Sequence, residues 1–207
     1  MTERPILFSA PMVRAILAGT KTQTRRVVKH PLAQNLSYIV DIGKGWFGDE
    51  EGEVQIRCPY GQPGDRLWVR ETWQAVSGND RARHIMTHPH PDRGWLEYAA
   101  TPRADEPSYK WRPSIHMPSW ASRITLEVTG VRVERLQDIS EADCWAEGVE
   151  QVMHDFTKES QIDMAYRLGL CIDDAKPLYA QLWESINGPG SWDANPWVWV
   201  VEFKGVA

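Results

Sequence analysis

A short polar segment, residues 19–26, gathers hydroxyl groups and cations directly after a predicted helix end. In an extended segment, residues two apart face the same side, so Thr22, Thr24 and Arg26 would share one face. A bulge or turn would bring Lys21 beside Thr24. A lysine whose pKa is lowered by nearby cations and partial burial can take a proton from a hydroxyl. The segment is therefore a candidate catalytic site, although its composition alone favours a solvated polar connector.

Two further places in the sequence are candidates for a functional site. Glu147 ends a predicted short helix, where a carboxylate meets the unfavourable end of the helix dipole. Arg70, Glu71 and Trp73 stand at the end of a predicted strand and could line the mouth of a barrel. The alternatives are an ordinary surface acid for Glu147 and an exposed, salt-bridged edge of little energetic value for the strand end.

The elements that carry these residues are indicated by hydrophobic periodicity and by turn and cap residues. Alternation of apolar and polar residues predicts strands at 6–9, 38–42, 54–58, 66–73, 95–100, 124–136 and 197–203. Gly130 interrupts one of them and predicts a bulge or bend. Helical spacing, with cap residues, predicts helices at 11–19, 140–148, 155–168 and 174–186. The sequence thus predicts an α+β fold in which a small mixed sheet or barrel carries a few short helices.

The composition limits the possible partners and the compartment. The formal net charge is −5, which speaks against binding to long duplex DNA, because phosphate neutralisation needs an excess of cations. No apolar run reaches the roughly 18 residues of a membrane span, and the N-terminal residues do not resemble a secretory signal. Three scattered cysteines argue against a disulfide framework and for a reducing compartment. We therefore predict a cytoplasmic protein that has no membrane partner.

The histidine-rich stretch at 84–90 has some features of a metal site. His84, His88 and His90 have the spacing His-x-x-x-His-x-His, and helical spacing would put the first two on one face, as zinc ligands can be. Pro89 and Pro91 would break that helix, and the chain has no Cys-x-x-Cys pair. Motifs typical of serine hydrolases, P-loop enzymes and dinucleotide-binding proteins are also missing. We therefore predict neither a metal nor a cofactor.

Four motifs stand in an order that resembles the ASCH family. They are the Gly-Thr-Lys-Thr-Gln-Thr-Arg-Arg segment at 19–26, the Pro-Gly-Asp strand entry at 63–69, a short acidic helix ending in Glu-Gly at 140–148, and a final apolar strand ending in Glu-Phe-Lys at 200–204. The long form of the chain is similar to the ASCH proteins common in phages and prophages. The resemblance implies one PUA-like domain over residues 1–207, a small mixed β-barrel with flanking short helices and insertions at about 29–62 and 74–119.

The same resemblance implies an activity. Small bacterial ASCH proteins include amidohydrolases that remove the acetyl group from N4-acetylcytidine with a lysine, a threonine and a later glutamate. These roles fall on Lys21, Thr24 and Glu147: the lysine would deprotonate the threonine, the threonine would attack the carbonyl, and the glutamate would assist proton transfer to the leaving amine. The substrate-binding residues predicted around them are Thr22, Arg26, Arg70, Glu71 and Trp73.

Two alternative functions would use the same residues in the same cleft of the ASCH-like domain. One is a binding module for single-stranded RNA or a modified base, in which the cations hold phosphate while Trp73 or Trp120 stacks on a base. The other is a ribonuclease, in which Lys21 or Arg26 stabilises the phosphorane charge. The eleven tryptophans fit packing better than stacking for any single residue. A modified nucleoside or single-stranded RNA is the expected partner in all three cases.

Overall fold

The computed structural model describes residues 1–43, 45–75, 96–102 and 110–206. Its strands are β1 (Glu3–Leu7), β2 (Gln23–Val27), β3 (Val40–Gly43), β4 (Trp46–Gly48), β5 (Gln55–Arg57), β6 (Arg66–Arg70), β7 (Trp73–Ala75), β8 (Leu96–Tyr98), β9 (Thr125–Arg135) and β10 (Trp197–Val206). Its α-helices are α1 (Ala10–Ala18), α2 (Pro31–Gln34), α3 (Glu141–Ala146), α4 (Lys158–Leu168) and α5 (Ala175–Asn187). This mixture confirms the α+β prediction.

The main sheet has five strands in the order β1-β6-β9-β10-β2. β1 lies parallel to β6, whereas the other neighbours are antiparallel. The remaining strands form a three-stranded sheet, β3-β4-β5, and the two-stranded pair β7-β8. Pairing among the described strands does not close a barrel, so β1 and β2 are the free edges of the main sheet. These two edges are joined through α1 and lie on either side of the candidate site.

The long strands β9 and β10 form the middle of the main sheet. Their register shifts between Glu202 and Phe203, opposite Gly130 and Val128, which leaves Thr129 as the extra residue of a bulge. The irregularity predicted at Gly130 is therefore confirmed. The first five residues of β10 are all buried, as expected for a central strand that is covered on both faces.

Local capping signals set the helix ends. α1 ends at Gly19, whose φ of 77° is the left-handed conformation that glycine adopts without strain. α3 begins after Ser140, whose Oγ accepts the backbone N–H of Asp143 at 3.1 Å. α4 begins at Lys158 because Thr157 caps it, so the start predicted at residue 155 is wrong. The three residues before Phe156 form a separate 3-10 turn instead.

Both predicted insertions contain ordered structure in the described residues. The first, at 29–62, holds α2 and the three-stranded sheet, and Phe47 of β4 packs edge-on against Trp199 of β10 with ring centroids 5.3 Å apart. The second, at 74–119, contributes to a small separate core of Trp73, Ala75, Leu96, Tyr98, Met117 and Ala121. The first insertion therefore extends the main core, whereas the second adds a core of its own beside β6.

Candidate active site

A buried contact between Lys21 and Glu147 is the centre of the candidate site. Nζ of Lys21 donates to Oε2 of Glu147 at 2.8 Å and to the backbone carbonyl oxygen of Glu147 at 2.8 Å. The two residues are only 4% and 3% exposed. Because an ammonium group has three N–H donors, one donor of Lys21 is left for a group in the adjoining pocket.

Backbone hydrogen bonds bring these two residues together across 126 positions of sequence. The N–H of Lys21 donates to the carbonyl of Ala15 at 3.1 Å, which holds the residue against the last turn of α1. The N–H of Thr22 donates to the carbonyl of Ala146 at 2.9 Å, and Lys21 and Glu147 form an isolated antiparallel bridge. The segment after α1 is thus fastened to the end of α3 before β2 begins.

Gly148 allows α1 and the end of α3 to approach each other this closely. Its φ of 79° lies in the left-handed region, where L side chains are strained. A Cβ at this position would lie 2.8 Å from Cβ of Ala15 and 3.0 Å from Cβ of Lys21. Carbon atoms pack at about 3.5–4.0 Å, so any side chain here would push Lys21 away from Glu147.

We expect Gly148→Ala to lower the free energy of unfolding by about 3 kcal/mol, from left-handed strain and overpacking together. Gly169→Ala is the matched control, because Gly169 also ends a helix at positive φ, 66°, but a Cβ there would meet nothing within 4 Å. The control should lose only about 1 kcal/mol. Urea denaturation of both variants measures the difference, and equal losses would contradict the close approach at Gly148.

Arg25 supports Glu147 from the other side. Its Nη1 donates to Oε1 of Glu147 at 3.1 Å, and its Nη2 contacts Glu134 at 2.5 Å and Asp143 at 2.9 Å. Arg132 extends this network by binding the same two carboxylates, at 3.0 and 2.9 Å. Each carboxylate oxygen of Glu147 therefore faces a cation, and the carboxyl group is held in one orientation.

Burial governs the acid–base properties of the two cations. Burial lowers the pKa of Lys21 below its ordinary value; Glu147 opposes this shift, and the charges of Arg26 and Arg25 add to it. Burial also acts to lower the pKa of Arg25, but attraction to Glu147 and to Tyr179 outweighs it and raises that pKa overall. Lys21 thus loses its proton more readily than a surface lysine, while Arg25 remains a permanent cation.

Thr24 lines the same pocket as Lys21 and Glu147 and is 3% exposed. Within the described residues its side chain has no hydrogen-bond partner. A hydrogen bond between Lys21 and Thr24, which a nucleophile and its base would share, is therefore not formed, because Lys21 donates to Glu147 instead. Such bonds often form only when substrate is bound, so the shared pocket is the more informative observation.

The pocket occupies about 640 Å³ between the two free edges of the main sheet. Arg26 of β2 spans the gap, with Nη2 donating to the carbonyl of Leu7 in β1 at 2.7 Å. The apolar and aromatic part of the wall consists of Phe8, Met12, Tyr60, Tyr179, Leu182 and Trp183. The volume falls in the range of small-molecule sites, and the mixture of apolar wall and few polar groups is typical of them.

The sequence indicates Arg25 only as one member of the basic cluster Lys21, Arg25, Arg26 and Lys29, and it does not indicate Tyr179. Arg25 lies within the polar segment, but alternation assigns it to the face away from Thr24, and its carboxylate partners are distant in sequence. Tyr179 follows Leu178 on α5 and resembles a core residue by spacing. Burial raises the pKa of Tyr179 well above its ordinary value, so its phenol stays protonated and can donate a hydrogen bond into the pocket. No sequence signal separates it from a packing tyrosine.

Arg26 and Thr22 were both predicted to bind substrate, but only Arg26 lies in the pocket wall. Arg26 lines the pocket and its guanidinium lies 5.4 Å from the ring centroid of Phe8. Thr22 is exposed and is not part of the pocket wall, because the predicted alternation of the segment begins only at β2. Of the threonines at 22 and 24, the structure therefore brings only Thr24 to Lys21 and Glu147.

The structure does not bring the other three predicted substrate-binding residues to the pocket. Arg70 donates to the carbonyl of Ile115. Glu71 is 1% exposed, and both its oxygens accept from Arg123, at 2.8 and 2.9 Å. Trp73 is fully buried in the small second core. Arg70 is therefore engaged by the second insertion and Glu71 by Arg123, which follows the insertion, and the strand pattern alone could not indicate either partner.

Trp120, the other stacking candidate, also belongs to the second core. Its ring packs edge-on against that of Trp73 with centroids 5.8 Å apart. It is half-buried and does not line the pocket. The tryptophans named for base stacking are therefore engaged in packing.

Among the described residues, no group of three or more histidine, cysteine or acidic side chains is placed to hold a metal ion. His84, His88 and His90 lie outside the described residues. Burial raises the pKa of the Cys58 thiol to about 11, and that of Cys144 to about 12, so neither is a ready thiolate.

No protein-family model, curated protein or solved structure matches the chain. The candidate site therefore rests on its own geometry and on the order of the four motifs. Within the part of the chain that the structure describes, no helix has both the length and the apolar character needed to cross a membrane.

Proposed function

We propose that this protein is an amidohydrolase that removes the acetyl group from N4-acetylcytidine or a related modified nucleoside without the help of a metal ion. The observation that carries the proposal is the buried Lys21–Glu147 pair, which opens on the same pocket as Thr24. The resemblance to the ASCH family supplies the substrate class. We further propose that the fold is PUA-like, with the open main sheet in the place of the barrel, and that the protein is cytoplasmic.

The first step is attack by Thr24 on the acetyl carbonyl. The neutral form of Lys21 takes the proton of the Thr24 hydroxyl as Oγ bonds to the carbonyl carbon, and the carbonyl electron pair moves to oxygen. The lowered pKa of Lys21 supports this role, because it increases the neutral fraction near neutral pH.

The second step breaks the bond between the acetyl carbon and N4. The protonated Lys21, held toward the pocket by Glu147, returns its proton to the leaving amine, and cytidine departs. The acetyl group is left as an ester on Thr24. Water then attacks that ester while Lys21 again takes the proton; the bond from the acetyl carbon to Oγ breaks, and Lys21 returns the proton to Oγ, so that acetic acid and free Thr24 are formed. Overall one amide and one water give one amine, one acetate and one proton.

Release of cytidine from N4-acetylcytidine tests the proposal. Wild type, Thr24→Ala and Thr129→Ala are compared by chromatography, and intact-protein mass spectrometry detects an acetylated enzyme. Thr129 is an exposed threonine at the β9 bulge, outside the pocket wall, and serves as the matched control. We expect cytidine release and a transient acetyl adduct in wild type and in the control, and neither in Thr24→Ala.

Other outcomes distinguish the alternative functions. Absence of cytidine release by folded wild type contradicts the amidohydrolase. Cleavage of single-stranded RNA that survives Thr24→Ala would favour the ribonuclease, and RNA binding without turnover would favour the binding module. The packing of Trp73 and Trp120 against each other weakens the binding module where it needs one of those rings to stack on a base.

A further inference from the structure

The pocket contains more positive charge than its own carboxylate can balance. Among the described residues, its wall includes four cationic side chains, those of Lys21, Arg25, Arg26 and Lys29, and a single carboxylate, that of Glu147. This excess is local, since the whole chain has a formal net charge of −5. This excess positive charge would add little to the affinity for a neutral nucleoside, whereas it would directly increase the affinity for an anionic ligand.

The four cations are not equivalent. Lys21 and Arg25 are paired with Glu147, and Arg25 also has Glu134 and Asp143. Arg26 and Lys29 have no carboxylate partner among the described residues. The excess charge of the pocket is therefore located on these last two residues.

Arg26 is also held in place for a ligand. One of its five N–H donors binds the carbonyl of Leu7 at 2.7 Å, and its guanidinium lies 5.4 Å from the ring centroid of Phe8. The other donors remain for a ligand, and a guanidinium fork matches the oxygens of a phosphate. Lys29 is exposed near the end of β2, on the same pocket wall, and can add a second cation to such a group.

We propose that Arg26 and Lys29 form a phosphate subsite, so that the substrate is a nucleotide and not a free nucleoside. This inference rests on the proposed function for the identity of the base, but the phosphate site can be tested without turnover. The phosphate belongs either to an N4-acylated cytidine monophosphate or to the backbone of a single-stranded RNA. A pocket of about 640 Å³ is large enough for a ligand with base, sugar and phosphate.

Calorimetric titration with cytidine and with cytidine 5′-monophosphate tests the subsite. Neither ligand has an acyl group, so binding is measured independently of catalysis. We expect the monophosphate to bind roughly ten- to a hundred-fold more tightly than cytidine, the range given by hydrogen bonds to charged groups. The preference should shrink as salt is added. A short single-stranded RNA that contains one cytidine, titrated in parallel, distinguishes a mononucleotide from an RNA ligand.

Variants assign the effect to the two cations. Arg26→Gln and Lys29→Gln should each lower the ratio of monophosphate affinity to cytidine affinity, measured for both ligands in the same variant, and Arg26→Lys should retain part of the preference. Arg14→Gln is the control, because Arg14 is exposed on α1 and lies outside the pocket wall. Thermal unfolding of each variant shows that it is folded.

The outcomes separate this inference from the proposed function. Equal affinities for cytidine and its monophosphate would overturn the phosphate subsite, even if N4-acetylcytidine is deacetylated. A preference for phosphate that depends on Arg26 and Lys29 would support the subsite, even if no acetylated substrate is turned over. Tighter binding of the RNA than of the monophosphate, lost in the same variants, would support the subsite and identify RNA as its source.

Discussion

Lys21→Met is expected to lower kcat for the release of cytidine from N4-acetylcytidine by about a thousand-fold, the middle of the range for loss of a general acid–base group. The chain should still fold, because Met fills similar space without a buried charge, and Glu147 keeps its 3.1 Å hydrogen bond to Arg25. Adding Thr24→Ala to Lys21→Met should reduce kcat little further, since the two residues act as one unit.

Steady-state kinetics and thermal unfolding of the same preparations make the measurement. Lys204→Met is the control, because Lys204 lies on the exposed part of β10 and pairs with Glu127 at 3.2 Å, away from the pocket. It should retain wild-type kcat. If Lys21→Met stays within a factor of about ten of wild type, which is only 1.4 kcal/mol in the barrier, Lys21 is not the base.

Glu147→Gln is expected to cost about 3 kcal/mol of stability at neutral pH, the lower end of the range for breaking a buried ion pair. It leaves the buried ammonium of Lys21 with neutral acceptors only, because the new side chain has one amide oxygen to share between Lys21 and Arg25 and no negative charge. Arg25 keeps Glu134 and Asp143. The cost should shrink in alkaline solution, because Lys21 can then lose its proton and no charge remains to be balanced.

The pH dependence has a definite sign. The fold holds the pKa of Lys21 below that of the unfolded chain, chiefly through burial. Between these two pKa values the unfolded chain binds more protons, so the contribution of Lys21 to the free energy of unfolding rises with pH across this window. Glu147 raises the pKa of Lys21, and its removal should extend the window to lower pH.

The stability cost of Glu147→Gln is measured by urea denaturation across a pH series. The pKa of Lys21 is measured by NMR titration of labelled lysine Nζ, with the signal assigned by its loss in Lys21→Arg. Glu134→Gln is the matched control, because it removes a carboxylate from Arg25 without touching Lys21. It should leave the Lys21 titration near its wild-type position. If the pKa of Lys21 is unchanged in Glu147→Gln, the 2.8 Å contact with Glu147 does not stabilise the ammonium of Lys21.

The parts of the fold that the sequence predicts are those with a local physical signal. Gly19 stops α1, Ser140 caps α3, and Gly130 marks the bulge of β9, because each residue acts within a few positions of itself. The start of α4 was misplaced because Thr157 was not recognised as its cap. β4 was missed for a related reason: three residues inside a glycine-rich turn carry too little periodicity to predict a strand.

The site was predictable only in part, because its contacts are non-local. The motif at 19–26 and the end of α3 identify Lys21 and Glu147, but no spacing rule indicates that they pair directly. Trp73 shows the converse: strand alternation cannot distinguish an aromatic that faces a ligand from one covered by a later insertion. Both the contact of Lys21 with Glu147 and the burial of Trp73 depend on residues that are distant in sequence.

The position of β10 between β9 and β2 has a consequence for when the candidate site forms during synthesis. Thr24 and Arg25 face Val201 and Val200 across the β2–β10 ladder, so β2 has no neighbour in the main sheet until β10 is made. Non-local pairing of this kind is slow, because a long loop must close before contacts compensate for it. A nascent chain that contains α1, β2 and even α3 would therefore lack the completed pocket, which would form in one late event once β10 is made.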